Sequence, residues 1–304
     1  MKIAPQQSSA LFNIIGHKGI SIYKVPENTI PALEKALDAG FLIETDVQKI
    51  KDGYVLYHDK SIPGPDYNDL DDGRSKIETH YGSGFYLPTG KKPISECTLD
   101  ELLTKAIFDK AWHEAALSRH AGESVHLELT ETPRIATLDE LITLLKKFPE
   151  SRTFLELKRS DQSAIYNDGM EEEIIGILCA NGLLNNTIIT SSNVSTLKNI
   201  RKASSDVVIS IDTDYDETIP DLTHNMSEAK RMLDEIKITF WSPPFFEVDK
   251  KLLEDTKKLG LEVVTWVQNE TKKEELSEIK RLKSIGVKYL FTDQPEEALK
   301  IYTE

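Results

Sequence analysis

The sequence contains very little cysteine. Among 304 residues only Cys97 and Cys179 are present, which is too few for the disulfide framework that stabilises small secreted domains. One bridge and two free thiols are both compatible with this pair. The fold therefore has to be stabilised mainly by a hydrophobic core, and a chain of this length can bury a large one.

Long hydrophobic runs are also missing. No apolar segment reaches the roughly 20 residues that a membrane-spanning helix needs, and the segment from Met1 to Ser9 contains no hydrophobic signal core. We therefore predict no transmembrane segment and a cytoplasmic location. Export by a route that uses no such signal would leave no mark in the sequence.

Positive charge is in the minority. Lys and Arg number 37 against 51 Asp and Glu, which gives a formal net charge of −14. A chain with this charge repels polyanions, so we expect neither nucleic acid nor an anionic membrane as its main partner. An anionic small-molecule substrate would need locally placed positive charge.

Apolar strands and amphipathic helices alternate along most of the chain. Strands such as 207–211 and 263–267 are almost continuously apolar, and a helical pattern follows each of them. This arrangement is typical of a parallel sheet covered by helices. We count about eight such units, the number that closes a TIM (β/α)8 barrel. An open doubly wound sheet is the alternative, but no glycine-rich phosphate loop follows the first strand. We predict the α/β class and a single barrel domain over residues 1–304.

One segment interrupts this alternation. Residues 61–136 are rich in turn signals, including those at 64–66 and 82–84. We predict that they form an insertion after the second strand that covers the opening of the barrel. Within it, the pattern predicts one helix over 99–119 and a short strand over 125–129.

The second strand, 41–47, carries two carboxylates. Glu44 and Asp46 are separated by one residue, so both side chains project from the same face of the strand. Two like charges on a buried face repel each other and lose hydration, and they need a cation or a shared proton there. Taken alone, the motif is also compatible with a solvent-exposed pair on an edge strand.

Other strands end in chemically active side chains as well. Glu156 and Lys158 repeat the one-residue spacing, while His17 and His58 follow the first strand and the hairpin after the second. Because the carboxyl ends of barrel strands meet at one mouth, we expect these groups to converge with the carboxylate pair.

These residue types suit phosphoryl chemistry. Three carboxylates are hard, anionic ligands that favour Mg²⁺ or Ca²⁺, so we predict one such divalent cation as cofactor. Two histidines can act as general base and general acid near neutral pH. Lys158 and Lys18 can stabilise an oxyanion.

Glu156 has one competitor as third carboxylate. Glu128 also lies in a strand-like pattern, but a helix-to-strand step precedes Glu156, which shares its face with Lys158. His113 is followed by a glutamate as in zinc proteases, but Leu117 stands where their second histidine is needed. We predict that the remaining isolated histidines are solvent-exposed: His80, His120 and His224.

In chain order, these residues form a series that resembles the motifs of the glycerophosphodiester phosphodiesterase family. The resemblance extends from about Ile14 to Pro295. The motifs are His17-Lys18-Gly19, Pro26-Glu27-Asn28-Thr29, Glu44-Thr45-Asp46-Val47 with Asp52-Gly53 and His58-Asp59, Glu156-Leu157-Lys158, Trp266 with Asn269, and Thr292-Asp293-Gln294-Pro295.

The resemblance implies a TIM barrel with an insertion after the second strand. It also implies metal-dependent hydrolysis of glycerophosphodiesters to sn-glycerol 3-phosphate and an alcohol. Attack at phosphorus can come from the substrate's own glycerol hydroxyl, through a cyclic phosphate. The implied roles are metal ligands for Glu44, Asp46 and Glu156, acid–base catalysis for His17 and His58, and phosphate contact for Lys158.

Two positions depart from the family pattern. Lys18 stands where the family usually has arginine, and Val267 where it often has threonine. Lysine keeps the charge but loses the two-pronged grip on a phosphate. We predict Lys18, Lys158 and Trp266 as substrate contacts. For Trp266, packing in the barrel core is the alternative.

Two alternative functions remain open. The first is a lysophospholipase D or related phosphodiesterase, for which a lysophospholipid replaces the glycerophosphodiester as substrate. The second is a barrel without catalysis that binds a phosphodiester or a protein partner through the insertion.

Overall fold

The computed structural model describes residues 13–65, 83–159, 165, 167–213, 226–267 and 271–304. Within these ranges the β-strands are β1 Asn13–Gly16, β2 Leu42–Ile50, β3 Gly53–Leu56, β4 Ser61–Ile62, β5 Phe85–Tyr86, β6 Lys92–Pro93, β7 Ile107–Phe108, β8 Ala136–Thr137, β9 Thr153–Leu157, β10 Thr187–Ser191, β11 Val208–Asp212, β12 Phe240–Ser242, β13 Glu262–Trp266 and β14 Tyr289–Thr292. The α-helices are α1 Ile30–Asp38, α2 Leu99–Thr104, α3 Lys110–Ala121, α4 Leu138–Leu145, α5 Met170–Ala180, α6 Val194–Ala203, α7 Met226–Ile236, α8 Lys250–Lys258, α9 Lys272–Ile285 and α10 Pro295–Thr303.

Eight parallel strands close a barrel. Their order is β1-β14-β13-β12-β11-β10-β9-β2, and β1 also pairs with β2. The predicted TIM (β/α)8 fold is thus confirmed. Because all eight strands run in the same direction, their carboxyl ends form a single mouth.

The interior of the barrel is filled by an aromatic and aliphatic floor. The ring of Phe154 meets those of Phe291 and Phe240 edge to face, with centroids 5.0 and 5.5 Å apart. Burying one such side chain stabilises the fold by about 1.5–3 kcal/mol. Side chains alternate across a strand, so the residue two positions after Phe154 also points inward, and this places Glu156 above the floor. The buried members of this cluster are Ile15, Phe154, Ile188, Phe240, Val264 and Phe291.

The first barrel helix is capped by Thr29, whose hydroxyl accepts a hydrogen bond from the Ala32 amide. Asn28 instead has a positive φ of 53°, a conformation that asparagine tolerates better than most residues. Its side chain is thereby directed to β2 rather than to the helix.

The predicted helix over 99–119 was wrong. It is divided into α2 and α3, with β7 between them. Each helix has its own cap, because Thr98 accepts from the Glu101 amide and Asp109 accepts from the Trp112 amide. Two caps within this distance favour two short helices over one long helix.

The predicted strand over 125–129 was also wrong. Two of its backbone amides donate to side chains of α3, and that of Glu128 donates to the carbonyl of Lys24 at 2.7 Å. Val125 donates to Ser118 Oγ at 2.9 Å, and Leu127 donates to Glu114 Oε1 at 2.8 Å. Apolar alternation was present, but these amides have partners other than a strand ladder.

Residues of the predicted insertion share a small core with the β2–β3 hairpin. It includes Val55, Tyr57, Ile62, Phe85 and Leu87. The boundaries of the insertion at 61 and 136 remain a prediction, and residues 66–82 lie outside the described ranges.

The two cysteines do not form a disulfide bridge. Cys97 and Cys179 are two free thiols, the first buried and the second exposed. Across the described part of the chain, no helix combines the length and the apolar character needed to cross a bilayer.

Candidate active site

Three carboxylates meet at the mouth of the barrel. In the parallel pairing of β2 with β9, Asp46 lies directly opposite Glu156, and Glu44 precedes Asp46 on the same face. One oxygen from each of the three side chains lies within 4.8 Å of the others. Glu44 and Asp46 are only 3% and 1% exposed, so an edge-strand pair facing solvent is excluded for these two residues.

Glu44 and Asp46 differ in their electrostatic surroundings. Burial, together with the charges of Asp46 and Glu156, raises the pKa of Glu44 well above its ordinary value. Burial acts in the same direction on Asp46, but the ammonium groups of Lys158 and Lys18 more than offset it and lower its pKa. A cation bound here would therefore favour the ionised form of Glu44, which burial and the neighbouring anions disfavour.

The donor set fits a hard divalent cation. Glu44 Oε1 is buried and accepts no hydrogen bond from any residue in the described ranges. Three carboxylates supply only oxygen ligands, which suit Mg²⁺ or Ca²⁺ and not thiolate-seeking or imidazole-seeking metals. A cation here would satisfy the unused oxygen and reduce the repulsion among the three anions.

Asn28 supports this cluster, a role that was not predicted from the sequence. Its Nδ2 donates to Asp46 Oδ2 at 2.8 Å. Its Oδ1 accepts from Thr45 Oγ1 at 2.7 Å and from the Asp46 amide at 3.2 Å. These bonds fix the Asp46 carboxylate, and the position of Asn28 between a loop and a helix was the available signal.

His17 lies at the end of β1, between the cluster and the last strand. Its Nδ1 is 2.8 Å from Asp293 Oδ1 and its Nε2 is 3.9 Å from Glu44 Oε2. An ionised carboxylate only accepts, so Nδ1 donates to Asp293. In the neutral ring Nε2 then keeps a lone pair on the side of the carboxylate cluster. The ring is half-buried, as an acid–base group at a mouth has to be.

Trp266 lies beside His17. The two rings are stacked with centroids 6.2 Å apart and planes inclined by 25°. Trp266 is half-buried, and it also packs against the barrel floor. Packing of the core and contact with a substrate at the mouth are therefore compatible for this side chain.

His58 follows the β2–β3 hairpin. Its Nδ1 donates to Asp59 Oδ1 at 3.0 Å. Gln48 of β2 holds the same turn, because its Nε2 donates to the carbonyls of Tyr57 and Asp59 at 2.6 and 2.9 Å. Burial, with the nearby charges of Lys18 and Lys158, lowers the pKa of His58 to about 3. The ring is therefore neutral near pH 7.

Lys158 lies where the sequence predicts it. Its Nζ is 2.9 Å from Glu156 Oε1 and 3.5 Å from Asp46 Oδ1. Burial alone would lower its pKa, but the charges of Glu156 and Asp46 raise it above the ordinary lysine value. Lys158 therefore supplies a permanent positive charge at the cluster.

Lys18 contacts two carboxylates through different groups. Its backbone amide donates to Glu44 Oε2 at 3.0 Å, and its ammonium lies 3.3 Å from Glu27 Oε2. Burial alone would lower the pKa of Lys18, but the charge of Glu27 and then that of Asp46 raise it. The pairing of Lys18 with Glu27 was not predicted, because nothing in the spacing of the two residues specifies it.

The other candidate residues lie elsewhere. Glu128 is exposed and pairs with Lys35 at 3.7 Å, so it is not a member of the cluster. The predicted exposure of His120 was wrong, since this side chain is buried with its Nδ1 2.8 Å from Tyr23 Oη. The remaining ones, His80, His224 and Asn269, lie outside the described residues.

One sequence family matches most of the chain. The profile of the glycerophosphoryl diester phosphodiesterase family matches residues 17–297. This range includes every candidate site residue described above. No curated protein matches the chain significantly.

Solved structures with a similar fold cover nearly the whole chain. A candidate glycerophosphoryl diester phosphodiesterase from Silicibacter pomeroyi DSS-3 has a TM-score of 0.71 at 20% identity, over 97% of this chain and 94% of its own. A phosphodiesterase from Oleispira antarctica, in complex with the product sn-glycerol-3-phosphate, has a TM-score of 0.66 at 18% identity, over 96% and 97%. A glycerophosphodiester phosphodiesterase from Agrobacterium tumefaciens str. C58 has a TM-score of 0.63 at 16% identity, over 95% and 99%. At these identities the similarity concerns the fold.

Proposed function

Because the chain belongs to the glycerophosphoryl diester phosphodiesterase family, it is an enzyme of the phosphodiesterase class, and we propose that it hydrolyses glycerophosphodiesters to sn-glycerol 3-phosphate and an alcohol. The reaction would use one divalent cation and the two histidines of the mouth. The observation that carries the proposal is the convergence of Glu44, Asp46 and Glu156 within 4.8 Å.

The carboxylates define the place of the reaction. Glu44, Asp46 and Glu156 would hold Mg²⁺ or Ca²⁺, which when bound would polarise a phosphoryl oxygen and offset negative charge in the transition state. Asn28 keeps Asp46 in place through its hydrogen bond at 2.8 Å. The ammonium of Lys158, 2.9 Å from Glu156, is placed to attract the substrate phosphate against the chain's negative net charge.

The histidines provide proton transfer. Both rings donate from Nδ1 to an aspartate, at 2.8 Å for His17 and 3.0 Å for His58. In each ring Nε2 is the atom that gains or loses a proton. One ring, unprotonated at Nε2, takes the proton of the attacking hydroxyl as its oxygen bonds to phosphorus. The other ring, protonated at Nε2 at the start of the step, gives that proton to the alkoxide as the old phosphorus–oxygen bond breaks. We assign the roles to the pair and not to either ring individually.

The substrate class is supported by a structural neighbour. The Oleispira antarctica phosphodiesterase was solved with sn-glycerol-3-phosphate as its product. The same product would follow from a glycerophosphodiester at the mouth of the present barrel. The lysophospholipid alternative stays open to assay, because Lys18 lacks the two-pronged grip on a phosphate of the arginine usual in the family.

Turnover on a substrate panel tests the proposal. Purified protein is incubated with Mg²⁺, Ca²⁺ or EDTA and with glycerophosphodiesters or lysophospholipids, and released glycerol 3-phosphate, lysophosphatidate and free alcohol are quantified. We expect metal-dependent release of glycerol 3-phosphate from at least one glycerophosphodiester. Faster release of lysophosphatidate would favour the lysophospholipid alternative, and no turnover on any substrate would contradict the proposed function.

A further inference from the structure

Helix α9 carries a further buried carboxylate. Glu275 is in the first turn of this helix and is 3% exposed. It is not close enough to the three-carboxylate cluster to belong to it. The proposed chemistry does not use it. A buried acidic side chain requires specific partners, because its desolvation is costly.

Its partners are three consecutive residues at the end of the last strand. Oε1 accepts from Thr292 Oγ1 at 2.7 Å and from the Asp293 amide at 3.2 Å. Oε2 accepts from the side-chain amide of Gln294. One carboxylate on α9 therefore binds the whole turn between β14 and α10.

The middle residue of this turn holds a proposed catalytic group. Asp293 accepts a hydrogen bond from His17 Nδ1 at 2.8 Å. Glu275 thus binds the backbone of Asp293, while the side chain of Asp293 binds the imidazole. A displacement of the turn would be transmitted to the ring through a single hydrogen bond.

We propose that Glu275 is a positioning residue for His17, acting through the backbone of Asp293. The proposal rests on the proposed function, in which His17 is one of the two proton-transfer groups. Reach is the decisive property of the side chain. Its oxygens have to extend from α9 to the turn, while its negative charge is of secondary importance.

A purely structural role is the competing explanation. The turn also begins α10, and the N-cap residue of that helix, Gln294, makes no side-chain capping bond. Thr292 Oγ1 accepts from the Gln294 amide at 3.0 Å, so this helix start has another support. If Glu275 served only the helix start, its replacement would change stability without a specific effect on turnover.

Two substitutions separate reach from charge. Glu275→Gln keeps the length of the side chain, and its Oε1 can still accept from Asp293 and Thr292. Gln294 Oε1 accepts no hydrogen bond from the described residues, so this amide can turn to accept from the new NH₂ group. Glu275→Asp keeps the carboxyl group but withdraws it by about 1.5 Å, the length of one carbon–carbon bond.

The matched control is Glu274→Gln. Glu274 is the preceding residue of the same helix turn, is exposed, and accepts from Thr271 Oγ1 at 2.9 Å. The Glu274→Gln variant removes one negative charge next to Glu275 and changes no contact of the turn between β14 and α10. Each variant is compared with the wild-type protein in thermal unfolding, so that a loss of fold is recognised.

Kinetics give the first readout. We expect Glu275→Asp to lower kcat by about 10- to 100-fold, the usual result of a small misplacement of a catalytic group, with KM changed by less than about twofold. We expect Glu275→Gln and Glu274→Gln to stay within about threefold of wild type. Equal losses in the Gln and Asp variants, or none in a folded Asp variant, would overturn the proposal.

The imidazole proton gives a second readout that does not depend on turnover. With ¹⁵N-labelled histidine, the Nδ1 proton that His17 donates to Asp293 is identified by its absence in His17→Asn. We expect it to be retained in Glu275→Gln and lost through exchange in Glu275→Asp. Its retention in the Asp variant would contradict the positioning role. If the wild-type protein shows no turnover but the Nδ1 proton signal is still lost in Glu275→Asp, the proposed function is contradicted and the positioning role of Glu275 is supported.

Discussion

His17 and His58 face the same mouth, yet contacts of very different range hold them. His58 donates to Asp59, the next residue, and Gln48 of the same hairpin holds the turn. His17 donates to Asp293, which is 276 positions away in sequence. One half of the proposed acid–base pair is built within a hairpin, and the other half exists only when the first and last strands of the barrel pair.

The two histidines therefore depend on different strand pairings. The hairpin half needs the registry of β2 and β3, in which Val47 lies opposite Leu56. The closure half needs β1 to pair with β14, in which Gly16 lies opposite Thr292. Weakening the pairing of β1 with β14 should therefore displace the His17 ring before it displaces the His58 ring.

Removing either ring should have the largest effect. We predict that His17→Asn and His58→Asn each lower kcat by about 10²- to 10⁴-fold, the range typical of general acid–base groups. Turnover should depend on both rings to a similar extent, although different contacts hold them. Steady-state kinetics at saturating metal provide the measurement.

The control for these variants is His126→Asn, since His126 is exposed. It should retain wild-type turnover. A folded His17 or His58 variant that loses less than about tenfold in kcat would remove that ring from the acid–base pair.

Removing the aspartate behind each ring should have an intermediate effect. We predict that Asp293→Ala and Asp59→Ala lower kcat by about 10- to 100-fold, as for other groups that orient a functional histidine. The loss should be greater for Asp293, because its side chain links His17 to a turn on another strand, whereas His58 is itself part of the hairpin turn that Gln48 holds.

The kinetic comparison of these two variants uses Asp255→Ala as control. Asp255 is paired with Lys251 on the outer helix α8, so its removal should not change kcat. A larger loss for Asp59→Ala than for Asp293→Ala would reverse the proposed difference between the two halves.

The smallest predicted effect concerns stability against pH in the metal-free protein. The pKa of His58 falls from 6.5 to about 3 on folding, so between these values the unfolded chain binds a proton that the folded chain does not. Stability from this group is fully present above pH 6.5 and decreases as the pH falls towards 3. His58→Asn should make the free energy of unfolding less dependent on pH in this window, by about 1 kcal/mol after allowance for solvent screening of the partly exposed ring.

Denaturant titrations at several pH values measure this dependence. His126→Asn, which leaves His58 in place, should follow the wild-type curve. If His58→Asn also follows the wild-type curve, the neutral folded state of His58 is contradicted.

Much of the barrel and of its carboxylate cluster could be predicted from the sequence. A period of two assigns Glu44 and Asp46 to one face, and the parallel order brings the end of every strand to one mouth. The predicted convergence with Glu156 agrees with the pairing of Asp46 and Glu156 across β2 and β9. The recognised family is likewise confirmed by its profile match.

The supporting contacts could not be predicted in the same way. Asn28 carries a hydrogen-bonding side chain that suits a helix cap as well as a carboxylate, and local sequence does not distinguish these two roles. Glu27 and Glu275 pair with residues of other elements, which alternation within one strand does not specify. In the predicted insertion, side chains of α3 take the amides that a neighbouring strand would have taken.

The central claim is that a divalent cation held by Glu44, Asp46 and Glu156 is required for phosphodiester hydrolysis. The most direct test measures calcium or magnesium binding by calorimetry and glycerol 3-phosphate release for wild type, Asp46→Asn and Glu128→Gln, the last being the exposed competitor. We predict that wild type and Glu128→Gln bind metal and turn over alike, while Asp46→Asn loses both by more than about 100-fold, beyond the cost of losing a group that only orients a ligand. Turnover that persists in EDTA, or in folded Asp46→Asn protein, would contradict the claim.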